Sequence, residues 1–186
     1  MRLSTILISI ALTMSACTED RISATQPPGA EDGVVALRAY TRTCEGTGKI
    51  SIRGPHRGAF RIKTYDLQMR PNGGQITTMP LPPGEFEVTS ISCGRGRSAM
   101  RASSGISGHM AKFSVSGGEV VYVGDFVLST YVKKREGLLP QLSRRKGVFV
   151  LDVMDKSDIA RRLLSNQAPA LAEPMVTRLA TVSEGS

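Results

Sequence analysis

The sequence predicts a mainly β protein, either an antiparallel sandwich or a partly open barrel with one or two short C-terminal helices. Short apolar segments, several of them alternating between apolar and polar residues, follow one another from residue 34 to residue 153. Nineteen glycines and ten prolines supply many turns, and aromatic residues make up only 5% of the chain. Helical periodicity is confined to the residues after 155, which favours a sheet domain followed by a small helical segment.

The first residues have the pattern of an export signal. Arg2 is followed by an apolar run over residues 3–14, by the small residues Ser15 and Ala16, and then by Cys17. A basic start, an apolar stretch of roughly 7–15 residues and a small-residue cleavage site define a signal peptide. Because a membrane span needs about 20 apolar residues, this run is too short to be one. We therefore expect residues 1–16 to be a signal peptide.

The sequence Met14-Ser15-Ala16-Cys17 resembles the lipobox of bacterial lipoproteins. The resemblance implies a mature chain that begins at Cys17, with diacylglyceryl on its sulfur and an acyl chain such as palmitate on its amino group. Several chains would anchor the protein durably, since each buried CH₂ contributes about 0.8 kcal/mol. The protein would then face the periplasm, and Thr18 favours the outer membrane over the inner one. The alternative is an ordinary secretory signal, with Cys17 a plain thiol or lost.

The mature chain divides into four segments. Residues 17–33 are the lipidated cysteine and a flexible tether, because residues 18–33 lack apolar periodicity. Residues 34–154 form the predicted β-sandwich, residues 155–182 a helical segment and residues 183–186 a tail. About 170 residues suit one domain.

The strands are predicted from alternation or β-branched content, bounded by turn residues. They cover residues 34–40, 49–53, 58–67, 75–79, 85–93, 109–115, 119–128 and 144–153. Turns are predicted at 71–74 and 82–84, and a long loop at 94–108. Segments 109–115 and 119–128 are predicted to pair as a hairpin across Ser116-Gly117-Gly118.

Two helices are predicted near the C-terminus. Asp155 or Ser157 caps a helix over 158–166, with Ile159, Leu163 and Leu164 on its apolar stripe. A second helix covers 170–182, with Pro174 in its first turn.

The segments LPPGEFEV at 81–88, FSV at 113–115 and EVVYVG at 119–124 are similar to PEGA-type modules and to uncharacterised β-sandwich lipoproteins. In this pattern the Pro83-Gly84 turn precedes a strand and Phe86 enters the core. The resemblance implies an accessory or structural role in the cell envelope, without a known reaction. It is an analogy of fold, which does not by itself determine function.

Three cysteines are present. With Cys17 modified, Cys44 and Cys93 can pair only with each other in the oxidising compartment that export implies. Their disulfide would close a loop of about 50 residues and stabilise the fold by roughly 4 kcal/mol. The alternatives are two free buried thiols or, because Cys93 precedes Gly94-Arg95-Gly96-Arg97, a reactive Cys93. The spacing is not that of zinc ligands, so no metal site is expected.

The chain is basic, with 24 Lys and Arg against 16 Asp and Glu. Such a surface attracts polyanions, which in the envelope means lipopolysaccharide or other acidic polymers rather than nucleic acid. The candidate anion-binding residues are Arg95, Arg97, Arg101 and Lys112. The alternative is a solvated basic surface that serves solubility.

No catalytic motif stands out, so we expect no enzyme and no cofactor. His56 and His109 lie outside any triad context, and Glu85 with Glu87 fits the solvent face of a strand. The leading hypothesis is a membrane-anchored envelope lipoprotein with a structural or protein-interaction role. A binding module for anionic polymers is the first alternative, and a hydrolase with an unrecognised site is the second.

Overall fold

The chain folds into two β-sheets with two short helices in the computed structural model. The structure describes residues 24–42, 48–56, 62–71, 74–94, 100–103, 110–132 and 147–183, with backbone alone at 70–71, 100–103, 130–132 and 147–149. In chain order the elements are β1 (Gly33–Thr41), β2 (Gly48–Pro55), β3 (Ile62–Pro71), β4 (Thr77–Leu81), β5 (Gly84–Cys93), β6 (Met100–Ser103), β7 (Ala111–Val115), β8 (Val120–Val132), β9 (Gly147–Met154), α1 (Ser157–Gln167), α2 (Pro169–Ala172), β10 (Met175–Thr177) and β11 (Thr181–Val182). The predicted class, a mainly β sandwich with short C-terminal helices, is confirmed.

Sheet A consists of β4, β1, β8, β9 and β10. Its central strand β8 lies parallel to β1 on one side, and pairs first with β10 and then with β9 on the other. Sheet B consists of β3, β2, β5, β6, β7 and β11, all in antiparallel pairs. A short parallel contact of Tyr40 and Thr41 with Arg70 and Pro71 joins the two sheets along one side.

Alternation along β1 produces two apolar layers. Val35 and Leu37 face sheet B and belong to the main core, which also contains Phe86 and Phe126. Val34 and Ala36 point the other way, into a second cluster formed with Tyr122 and the helices. Sheet A is therefore buried on both faces, which is why β1 and the first half of β8 are almost continuously apolar. Sheet B is covered on one face only.

The predicted hairpin between residues 109–115 and 119–128 is wrong. In the structure β7 pairs with β5 and β11 in sheet B, whereas β8 is central in sheet A. The turn between them crosses from one sheet to the other, and Gly118, at φ +72°, donates its N–H to the carbonyl of Asp32 at 2.8 Å. Because β8 is apolar on both faces, it packs between the main core and the helices rather than beside β7.

The C-terminal prediction is only partly correct. The bounds of helix α1 agree with the predicted 158–166. The predicted cap is wrong, because the N-cap is Lys156 without a side-chain cap hydrogen bond, although the Asp155 carboxylate accepts a hydrogen bond from the Ser157 N–H at 2.9 Å. The predicted apolar stripe is wrong at Ile159, which is 41% exposed, whereas Ala160 and Leu164 are buried. The second helix ends at Ala172, and the chain continues as β10 and β11. Pro174 cannot donate a helical hydrogen bond, and the β-branched residues that follow favour strands.

The predicted loop over 94–108 contains a strand, β6, which pairs antiparallel with β5. The part of the chain that the structure describes contains no helix long and apolar enough to cross a membrane.

Candidate functional site

The structure describes one of the two cysteines of the predicted disulfide. Cys93 is the last residue of β5, is 2% exposed and is disulfide-bonded. Cys44 and Cys17 lie outside the described residues. Gly48, four residues after Cys44, pairs with Cys93 in the β2–β5 ladder. That register supports Cys44 as the partner, and the Cys44–Cys93 pairing stays a prediction.

The four predicted anion-binding residues do not form one described patch. Arg95 and Arg97 lie outside the described residues. The backbone of Arg101 lies opposite Ser92, whereas Lys112 lies opposite Glu87 on the same side of β5. Five positions along a strand separate the two sites by roughly 16 Å.

The basic excess belongs mainly to other parts of the chain. Among residues whose side chains are described, ten are Lys or Arg and eleven are Asp or Glu. The whole chain has 24 and 16. The described surface is thus nearly neutral, and it does not by itself attract polyanions.

A groove of about 510 Å³ crosses the outer face of sheet B and is named here the sheet B groove. It is lined by Arg53, Gly54, Pro55, Ile62, Glu85, Phe86, Glu87 and Lys112. These residues come from four adjacent strands, β3, β2, β5 and β7. Its volume lies within the range of ligand sites, roughly 300–1,000 Å³.

A row of alternating charge forms one side of the groove. Arg53, Glu87 and Lys112 occupy matching positions on β2, β5 and β7. The Arg53 guanidinium donates from Nε to the Glu87 carboxylate at 2.8 Å, and a second contact runs from Nη2 to the same oxygen. No ion pair joins Lys112 or Glu85 to a residue that the structure describes.

Aromatic packing on the core side of sheet B supports the strands that line the groove. The Phe86 ring stacks on Phe113 with centroids 5.5 Å apart and meets the edge of Tyr65 at 6.2 Å. A Cβ at Gly54 would lie 2.0 Å from the Phe86 ring, so only glycine fits under it. The Tyr65 hydroxyl donates to the Pro55 carbonyl at 3.1 Å.

A buried polar cluster interrupts the helix-facing side of sheet A. Between Ala36 and Arg38 the β1–β8 register shifts by one residue, so β8 contains a bulge at Gly124, whose φ is +110°. The bulge brings Tyr122 and Asp125 to the same face, and the Tyr122 hydroxyl donates to Asp125 Oδ1 at 2.6 Å. Arg38 Nη1 lies 3.0 Å from Asp125 Oδ2.

Burial controls the protonation of this cluster. Asp125 is fully buried, and burial raises its pKa even though Tyr122, Arg38 and Lys156 act in the opposite direction. The Arg38–Asp125 contact has ion-pair distance but no hydrogen-bond geometry at Oδ2, which weakens its compensation. The pKa of Tyr122 is also raised, by burial and by its bond to Asp125.

Residues 175–183, named here the strap, tie the two sheets together along the side opposite the β1–β3 contact. β10 pairs with β8, Ala180 donates its N–H to the Val123 carbonyl at 2.9 Å, and β11 pairs with β7. Three apolar side chains of the strap are exposed: Val176 (46%), Leu179 (39%) and Val182 (41%).

Two arginines hold the strap in place. Arg178 donates to both Glu119 oxygens, at 2.9 and 3.0 Å. Arg161 of α1 donates to the Ala172 carbonyl and, at 2.8 Å, to the Met175 carbonyl. Sequence reasoning missed the strap, because its strands are short and lie where a helix is predicted.

The described residues offer little catalytic chemistry. Among them, no three His, Cys, Asp or Glu side chains are placed to hold a metal ion. His56 is half-buried just after β2, and His109 lies outside the described residues. Glu85 is exposed and Glu87 bonds Arg53, in keeping with a solvent face.

Comparison of the chain with protein-family models, curated proteins and solved structures gives no match.

Proposed function

We propose that this chain is a lipid-anchored protein of the bacterial cell envelope whose β-sandwich binds a protein partner through the strap. The anchor rests on the lipobox-like sequence that ends at Cys17, and the periplasmic orientation follows from it. The role is structural or adaptor-like rather than catalytic.

The interaction role rests on the exposure of Val176, Leu179 and Val182. They lie on the strap, whose strand β10 pairs with β8 in sheet A and whose strand β11 pairs with β7 in sheet B. Three exposed large apolar side chains within seven consecutive residues favour a partner site over single scattered surface residues. Terminal strands also offer unpaired backbone groups to an incoming strand, a common mode of protein recognition.

The strap is well ordered for such a contact. The bidentate Arg178–Glu119 pair and the Arg161 bonds fix its backbone to the turn before β8 and to α1. A fixed surface loses little entropy when a partner binds. The proposal therefore needs no rearrangement of the fold.

Site-specific photo-crosslinking in cells tests the proposal. A photoreactive phenylalanine analogue at Leu179 or Val182 should give the same light-dependent adduct, identified by mass spectrometry. The same analogue at Gln68, exposed on β3, is the matched control and should not give it. Adducts that are equal at all three positions, or absent from the strap, would contradict the proposal.

A second candidate, binding of anionic envelope polymers, is favoured by the topology of the strand ends. Gly48 and Met100 both lie opposite Cys93, and Thr41 lies opposite Leu128. Because Tyr40 also lies opposite Arg70 and Gly48 opposite Met69, the described strand ends next to residues 95–99 and 133–146 lie at the same end of the sandwich. Both segments lie outside the described residues, and their sequences have one acidic residue and these basic ones: Arg95, Arg97, Lys133, Lys134, Arg135, Arg144, Arg145 and Lys146.

A further inference from the structure

We propose that the sheet B groove binds a short extended segment of another polypeptide with the pattern apolar–x–basic–x–acidic. This site uses different residues from the strap and is independent of the proposed function.

The charge pattern of the groove calls for a ligand that carries both signs. Arg53 and Glu87 neutralise each other. Glu85 and Lys112 are both exposed, line the groove and make no ion pair with any residue of the described part. A purely anionic ligand would be attracted by Lys112 but repelled by Glu85, so the complementary ligand supplies a base to Glu85 and an acid to Lys112.

The spacing of these two charges fits an extended chain. Lys112 lies opposite Glu87, and Glu85 is two residues away along β5. Such diagonal neighbours have Cβ atoms roughly 7–8 Å apart. In an extended segment, residues two apart point to the same side at a spacing of roughly 6.6 Å. A basic and an acidic residue separated by one position therefore match Glu85 and Lys112.

The apolar position of the ligand pattern is inferred from an exposed apolar side chain at the β3 end of the groove. Ile62 on β3 is 64% exposed, the largest exposure among the described large apolar side chains. Strands are about 4.8 Å apart, so the groove spans roughly 14 Å from β3 to β7, which is close to the length of five extended residues. The first residue of such a segment would cover Ile62, and its backbone would pass over Pro55, which lies opposite Ile62 on β2.

Nuclear magnetic resonance titration of the full-length protein in detergent tests this assignment. The probe is acetyl-Leu-Ser-Lys-Ser-Asp-amide, and the control is acetyl-Leu-Ser-Asp-Ser-Lys-amide, which exchanges the two charges. We expect saturable shifts of the Gly54, Glu85 and Lys112 amides with the probe. Binding of the control should be about tenfold weaker, because two exposed attractive pairs become repulsive.

A charge-swapped protein provides the decisive comparison. Glu85→Lys combined with Lys112→Glu should reverse the peptide preference, and both sites are exposed, so the fold should persist. Asp152→Lys, on an exposed position of β9, is the control and should leave the preference unchanged. Equal binding of both peptides, no saturable shift, or no reversal would overturn the proposal. Binding of phosphatidylethanolamine vesicles without any peptide preference would also overturn it and would indicate a zwitterionic head group. Strap crosslinks would be unaffected by either result.

Discussion

Asp125 is the residue at which this fold departs furthest from a simple apolar core. It is a carboxylate at 0% exposure on the central strand, and it reaches Tyr122 only because Gly124 adds a residue to β8. A Cβ at Gly124 would lie 2.6 Å from Val153, so the bulge depends on glycine for both space and backbone angle. At this bulge β8 pairs with β1 on one side and accepts a hydrogen bond from Ala180 of the strap on the other.

The raised pKa of Asp125 predicts a pH-dependent stability. A carboxyl whose folded pKa lies above its unfolded value of about 3.8 favours the folded state when protonated. Its contribution is present below pH 3.8 and is lost as the pH rises through the folded pKa. Relative to Asp125→Asn, the wild type should therefore lose up to about 1.4 kcal/mol of unfolding free energy per pH unit in that window. Urea unfolding at a series of pH values measures it.

Asp66→Asn is the matched control for this titration. Burial by itself would raise the pKa of Asp66, but the hydrogen bonds from Lys49 and Ser51 outweigh it, so the pKa is lowered. Its contribution is present above pH 3.8 and is lost as the pH falls through its folded pKa, so Asn at this position should change the profile only in acid. Parallel pH profiles for the wild type and Asp125→Asn would contradict the Asp125 assignment.

Single residues explain why part of the site could be predicted from the sequence and part could not. The Glu85–Glu87 pair was predicted as a solvent face, because alternation in a strand determines which side chains point outward. Lys112 was predicted only as an anion-binding residue. Gly124-Asp125 inside an apolar run indicates a bulge, but the strand prediction did not include one. Arg53 gave no signal of its own, since its role depends on the alignment of β2 with β5.

At the scale of elements, local patterns predicted where strands occur better than which strands pair. Six of the eight predicted strand segments overlap an observed strand over most of their length, and 75–79 overlaps β4 at 77–79. Segment 58–67 overlaps β3 at 62–67, and its first four residues lie outside the described residues. The pairing of β7 with β8 failed because a short glycine turn can also connect two sheets. Thr89, the extra residue that shifts the β2–β5 register, moves Ile91 and Cys93 to the same buried face as Phe86 and Val88. Strict alternation cannot anticipate such a shift.

The strap is the element whose attachment can be tested most directly. Arg178→Gln removes the pair with Glu119, whose side chains are 45% and 16% exposed. We expect a loss of about 0.5–1 kcal/mol, since the pair is bidentate but partly solvated. Hydrogen exchange of the Arg178 and Ala180 amides, which donate to β8 carbonyls, should accelerate before exchange in β1 does.

Lys49→Gln is the matched control, because the Lys49–Asp66 pair is about half exposed on both sides and lies on β2 and β3. It should cost less than Arg178→Gln and leave strap exchange unchanged. Equal acceleration of strap and β1 exchange in Arg178→Gln would mean that the strap does not open as a separate unit.

At the scale of the whole molecule, the proposed anchor and the strand ends constrain how the domain would sit on a membrane. Ala24 is already bound to sheet A, with its N–H donating to the Thr78 carbonyl at 3.2 Å and its carbonyl accepting from the Thr78 hydroxyl at 2.6 Å. Ala24 lies seven positions after Cys17. Even a fully extended chain of that length spans at most about 25 Å. A lipid on Cys17 would therefore keep the sandwich close to the bilayer, within reach of charged head groups.

Lipid anchoring and electrostatic attraction to a membrane differ in their dependence on salt. The natural protein should remain in the detergent phase at every salt concentration, and its mature N-terminus should be acylated Cys17 by mass spectrometry. A form exported by a cleavable signal and beginning at Thr18 should bind phosphatidylglycerol vesicles at low salt only, because the Debye length falls from about 30 Å at 0.01 M to about 8 Å at 0.15 M. Replacing Lys133, Lys134 and Arg135 with glutamine should weaken that binding, whereas replacing Arg162, exposed on α1, should not. Partitioning of the Thr18 form into detergent would contradict the lipid anchor. Vesicle binding that does not change with salt concentration would contradict the electrostatic role.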